Sequence, residues 1–131
     1  MRLFRLAPTA VLVLAVVAPA AAAPDPVRGE QVYGRCLACH ALAYDRVGPR
    51  HCGLIGRPAG SVAGFVYSPA MKRSGIVWSE RALDRFLAAP MQAMPGTAMT
   101  YDGIADAKER ADLIAYLEQA GRSAECAAPP R

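Results

Sequence analysis

Cys36-Leu37-Ala38-Cys39-His40 sets two thiols three positions apart, with an imidazole directly behind the second. Residues three apart share one face of a helical turn, so both sulfurs reach the same edge of a flat molecule. That spacing suits the two vinyl groups of a porphyrin, and His40 follows closely enough to swing its ring over the plate as a first axial ligand to iron. The same residues would serve a redox dithiol or half of a zinc site. Zinc needs a second ligand cluster, which this sequence lacks. A thioredoxin-like dithiol sits in a βαβ context, which is also missing. The motif is therefore read as the attachment site of one covalent c-type haem.

The chain that must hold this group has 131 residues, enough for one domain. Its first residues have a different use. Arg2 and Arg5 precede an almost wholly apolar stretch from Leu6 to Val17, and small residues follow from Pro19 to Ala23. That is the layout of a secretory signal peptide, with a cut expected after Ala22 or Ala23, the former favoured because Pro24 is a poor first residue. The apolar core is short for a membrane span and is broken by Pro8 and Pro19, so no stable membrane insertion is expected after cleavage. Export to the periplasm fits, because such motifs receive haem outside the cytoplasm, where disulfides are also permitted. Removing Arg2 and Arg5 from 15 basic residues leaves 13 against 11 acidic ones. Two haem propionates would then bring the net charge close to zero. Nucleic-acid binders concentrate basic residues on one face, so a nucleic-acid partner is excluded.

The coarse pattern is helices separated by long loops. Gly29, Val32, Tyr33 and Cys36 fall at helical spacing, which predicts a helix over 27–40 with Gly29 allowing close approach of a second helix. The stretch 41–74 is rich in glycine and proline and has no strong period. A loop that long in a small domain needs something other than secondary structure to fill the core, and a buried haem does so. Ser79 is a candidate N-cap for a helix carrying Leu83, Phe86 and Leu87 up to Pro90. A second loop spans 91–103. Asp106 to Glu109 has the form of a capping box ahead of Leu113, Ile114 and Leu117, with a stop at Gly121. A polar tail with Cys126 follows.

With those residues in place, the chain resembles the class I cytochromes c over roughly 27–120. The segments that carry the resemblance are Gly29-Glu-Gln-Val-Tyr33, Cys36-x-x-Cys39-His40, Gly48-Pro49, Gly56-Arg57, Gly64-Phe-Val-Tyr67, Gly75-Ile-Val-Trp78, Pro95-Gly-Thr-Ala-Met99 and Arg110 to Leu117, in family order. The seven-residue step from Gly29 to Cys36 is similar to the bacterial branch. The resemblance implies an all-α cytochrome c fold, helices and long loops wrapped around one covalently bound haem. Residues 1–22 would be the signal peptide and 23–131 the cytochrome c domain with a short C-terminal tail.

Site roles follow from the resemblance position by position. Met99 supplies the second axial ligand. Pro49 offers its carbonyl to the His40 ring, fixing its tautomer. Tyr67 and Trp78 donate hydrogen bonds to a buried propionate, and Arg57 helps neutralise that charge, which is costly to bury unpaired. Gly29 and Tyr33 pack against Leu113 and Tyr116 where the first and last helices cross. Three positions depart from the pattern. His51 stands where the family usually has leucine, as a satisfied polar residue or a rival iron ligand. Phe86 replaces a frequent tyrosine, and Met71 a frequent asparagine. Lysines are scarce, with only Lys72 and Lys108.

The implied function is electron transport. A His/Met-ligated carrier would shuttle single electrons between larger membrane or periplasmic redox proteins, as a monomer and not as an enzyme. A ligand-binding or peroxidatic haem protein is the alternative, as is a fixed cytochrome subunit of a larger complex. With two cysteines assigned to haem, Cys52 and Cys126 remain. In the class I fold the loop after the haem motif runs near the end of the last helix, so a disulfide between them is expected, with two free thiols as the other outcome.

Overall fold

The computed structural model describes residue 15 and residues 20–128; the signal peptide expected over 1–22 therefore falls almost wholly outside the described residues. Six helices order the described chain: α1 (Pro26–Tyr33), α2 (Pro69–Arg73), α3 (Glu80–Ala88), α4 (Pro90–Ala93), α5 (Ala107–Ala120) and α6 (Ala124–Ala127). The described residues hold an isolated antiparallel bridge between Pro58 and Val77 and no strand, so the all-α expectation holds.

Caps explain where the helices begin. Asp25 accepts the Val27 and Arg28 amides ahead of α1, with Pro26 at the first helical position, where its missing N–H costs nothing. Ser79 accepts the Ala82 amide at α3. Asp106 accepts those of Lys108 and Glu109 at α5. The Glu109 side chain does not close the capping box back onto Asp106. It takes a bidentate bond from Arg35 at 2.7 and 2.8 Å, tying the turn after α1 to the start of α5. That pair is exposed and adds little stability.

The core is built where α1 crosses α5. Val32 and Tyr33 from α1 meet Leu113, Ile114 and Leu117 from α5, all buried, and Leu83, Phe86 and Leu87 from α3 close the cluster. Gly29 makes the crossing possible. A Cβ there would collide with the Asp112 backbone carbonyl and stand 2.8 Å from the Tyr116 Cβ. Tyr33 and Tyr116 sit beside it with ring centroids 5.2 Å apart. Asp112 is fully buried at the same point and accepts the Asp25 backbone N–H at 2.7 Å and a bond from Lys108, which anchors the start of α1 on α5. Gly29→Ala should therefore cost on the order of 2–3 kcal/mol by overpacking a rigid crossing. Chemical denaturation of the haem-loaded protein checks this, and a loss below about 0.5 kcal/mol, the level of an ordinary surface substitution, would show that the crossing yields.

One predicted boundary and the loop assignments are corrected. The first helix does not run to His40. It ends at Tyr33, and Gly34–Cys36 tighten into a 3-10 turn. The Cys39 and His40 amides then both bond the Cys36 carbonyl, at 3.0 and 2.9 Å. The loops also hold short helical turns that a periodic pattern is too long to detect: α2 behind its Ser68 cap, α4 directly after α3, and α6 in the tail.

Candidate functional site

The 3-10 turn after α1 ends on Cys36, half-buried against the core, and the turn that follows carries Cys39, exposed; both are free thiols. Burial pushes the Cys36 thiol up to about 11, with Arg35 opposing that shift, so it stays protonated. His40 follows directly and is buried.

The imidazole of His40 is held on three sides. In its plane, Nδ1 donates to the Pro49 carbonyl at 2.8 Å; a carbonyl can only accept, so the proton resides on Nδ1 and Nε2 keeps its lone pair. Burial lowers the His40 pKa, outweighing the Pro49 bond, which keeps the ring neutral. The backbone of Gly48 lies against one face of the ring, where a Cβ would come within 2.6 Å of both ring nitrogens. Across from it the His51 ring stacks on His40, centroids 4.2 Å apart and planes 21° apart. The Gly48 amide also bonds the Cys39 carbonyl at 2.7 Å, closing this loop back on the motif. Two free sulfurs beside an imidazole whose remaining nitrogen is an unprotonated donor fit a covalently attached haem with an iron ligand on one face.

His51 is the satisfied polar residue of the two readings above. Its Nδ1 meets the Tyr33 hydroxyl at 3.1 Å, and its ring lies on the His40 side. Burial first, then His40 and Arg57 beside it, push its pKa down to about 3, so the ring is neutral. Burial likewise raises the Tyr33 phenol.

The loop 94–103 presents Met99. It is closed at its start by the Met94 amide on the Pro90 carbonyl and by the Thr97 amide on the Met94 carbonyl, at 2.9 and 3.0 Å. Gly96 takes φ +86° in that turn, a conformation other residues rarely adopt. The loop is closed at its end by the Ile104 amide on the Leu87 carbonyl at 2.8 Å. Thr97 Oγ1 accepts the Met99 amide at 3.2 Å. Met99 is half-buried and packs on the core, as Met71 does, while Met94 is buried within it and Met91 is exposed.

Arg57, Tyr67 and Trp78 come from three separate stretches. Trp78 is buried against Phe86, ring centroids 5.1 Å apart. Its backbone pairs with Gly56 and Arg57 at 2.8 and 3.0 Å, which brings Arg57 beside it. The Arg57 guanidinium spends two donors on the Cys52 and Arg50 carbonyls at 3.0 and 2.9 Å, bracing the loop that follows Pro49. Burial lowers its pKa, and Tyr67 acts against that shift. Tyr67 accepts the Val62 amide at 3.2 Å, which leaves its own O–H free to donate.

Cys52 and Cys126 are bridged, with Cα atoms 5.2 Å apart. The expected disulfide is present, and it seats α6 beside the loop that carries His51.

Comparison with known proteins agrees with this geometry. The family model described as Cytochrome c matches residues 26–121. The chain is 44% identical over 110 residues to a cytochrome c2 of Blastochloris viridis, covering 82% of this chain and 87% of that one. It is 47% identical over 103 residues to a cytochrome c2 of Rhodomicrobium vannielii, covering 76% and 82%. Among solved structures it is similar to cytochrome cH from Methylobacterium extorquens, with a TM-score of 0.71 and 40% identity over 72% of this chain and 98% of that one.

Proposed function

The chain belongs to the cytochrome c family and is an electron carrier with one covalently bound c-type haem; on that footing we propose which residues hold the group, where the protein works and what it meets. Cys36 and Cys39 would tether the haem through thioethers, and His40 Nε2 and the Met99 sulfur would hold its iron. The observation that carries this is the single ring nitrogen left free on His40 once Pro49 has taken Nδ1. When bound, the haem supplies a one-electron iron couple. The remaining work is done by the chain. Pro49 and Gly48 orient the His40 ring, and the 94–103 loop that carries Met99 is closed at both ends by backbone hydrogen bonds. Tyr67 and Trp78 donate to a propionate, and Arg57 offsets its charge from a half-buried position. With both side chains engaged, the iron would have no open position for small ligands and would rearrange little on electron transfer.

Residues 1–22 act as a signal peptide and residues 23–131 work in the periplasm as a monomer. Among the described residues no helix is long and apolar enough to cross a membrane. The protein exchanges electrons with larger redox proteins and is not an enzyme by itself. Three cations near the motif are engaged within the chain: Arg35 pairs with Glu109, Arg50 pairs with Asp45, and Arg46 donates to the Leu37 carbonyl. Leu37, Tyr44 and Val47 stand exposed nearby. A contact of that composition is weak and short-lived, as electron transfer requires.

Carbon monoxide tests the filled iron. The spectrum of the reduced protein at neutral pH should barely change under the gas. Rapid stoichiometric binding would show an open position and favour the ligand-binding alternative.

A further inference from the structure

Electron transport through His40 does not by itself call for a second imidazole, yet the fold builds one against it with care. The His51 amide bonds the Ala41 and Leu42 carbonyls at 3.1 Å each, immediately after His40 in the chain. The Cys52 amide bonds the Leu42 carbonyl at 2.8 Å, and Cys52 is fastened to Cys126. The far end of the ring is fixed too. Nδ1 of His51 meets the hydroxyl of Tyr33, a buried residue locked against Tyr116 at the crossing of α1 and α5. The two imidazoles lie nearly parallel at 4.2 Å, and Gly48 closes the other flank of His40. A hydrogen bond to Pro49 fixes one nitrogen of His40 but still permits the ring to rock. The stacked wall removes that freedom.

We propose that His51, held by Tyr33, is a positioning residue for the axial ligand: it sets the plane of the His40 ring and lowers the reduction potential of the iron that His40 binds. The second effect follows from charge. An aromatic face is negative and attracts positive charge. The His40 ring gains positive character when the iron is ferric, so a neutral ring stacked on it stabilises the oxidised form. A leucine in the same place would fill the volume without that attraction. The inference rests on His40 being an axial ligand, as proposed above.

The test uses the haem-loaded protein with His51→Leu, His51→Phe and Tyr33→Phe. Hyperfine-shifted proton resonances of the ferric protein report the axial ring plane, and redox titration reports the potential. His51→Leu should change the pattern of shifted haem methyls. It should also raise the ferrous-to-ferric ratio at fixed potential about threefold, or about 28 mV at 59 mV per tenfold. His51→Phe keeps an aromatic wall and should restore most of both readouts. Tyr33→Phe leaves the stack but frees its far end, and should move both in the same direction by less; it stands alone if His51→Leu does not fold. Unchanged methyl shifts and potential in His51→Leu would overturn the proposal, as would a His51→Phe variant indistinguishable from His51→Leu. The underlying ligand assignment fails separately: it is wrong if His40→Ala retains the wild-type low-spin spectrum.

Discussion

Met99→Ala should abolish the weak near-infrared absorption that a methionine sulfur bound to ferric iron produces. The same variant should open the reduced iron to carbon monoxide and lower the potential, since thioether ligation favours the reduced state. Residue type cannot make this choice, because Met71, Met91, Met94 and Met99 all lie in or beside loops. Geometry narrows it. Met91 is exposed, and Met94 is buried among the core side chains, the usual use of a methionine that fills a gap. Met71 packs on the core from the short helix α2. Met99 alone follows the turn in which Gly96 has positive φ and Thr97 caps the next amide but one, in a loop closed at both ends. Met94→Ala should behave differently. It empties a core site and should cost about 2–5 kcal/mol of stability while leaving the band in place. A band that survives Met99→Ala and vanishes with Met94→Ala would transfer the ligand to Met94.

The parts of this fold legible in the sequence are those governed by local rules. α3 and α5 carry apolar residues at helical spacing behind a capping side chain, and both begin within a residue of the expected start. The Cys-x-x-Cys-His motif is legible because its short-range spacing suits a porphyrin edge and an iron ligand, whereas Met99 is named through the family resemblance rather than through spacing. The first helix was overextended because apolar periodicity continues through Cys36, while the backbone tightens after Gly34 to turn His40 inward. α2, α4 and α6, at five, four and four residues, are shorter than the window in which a period can be recognised. The arrangement around His51 had no local signal at all. His51 meets Tyr33 from 18 positions away, through a loop whose path depends on Gly48, Pro49 and the disulfide. The Gly48 role is half visible: the family resemblance at Gly48-Pro49 implies the Pro49 carbonyl, but the clash that demands glycine appears only once His40 is in place.

Replacing both Cys52 and Cys126 by serine should cost on the order of 4 kcal/mol of stability. The bridge joins residues 74 apart in sequence, so it holds the ends of most of the domain together in the unfolded chain. In the chain-entropy model a loop of that length removes unfolded-state freedom worth on the order of 4 kcal/mol, whatever the native contacts contribute. The native side adds to this. α6 is only four residues long, none of them is buried, and its Ser123 cap bonds only the Cys126 amide within the tail, so the bridge is what fastens the tail to the Cys52 loop. The loss should appear in urea unfolding of the haem-loaded protein as a lower midpoint. The slope should rise as well, because an uncrosslinked chain exposes more surface when it unfolds. Reductant should shift the wild type towards the double mutant and leave the mutant where it is. Thiol labelling of the unfolded, unreduced wild type should find no free cysteine; two labels per chain would remove the bridge and this prediction with it.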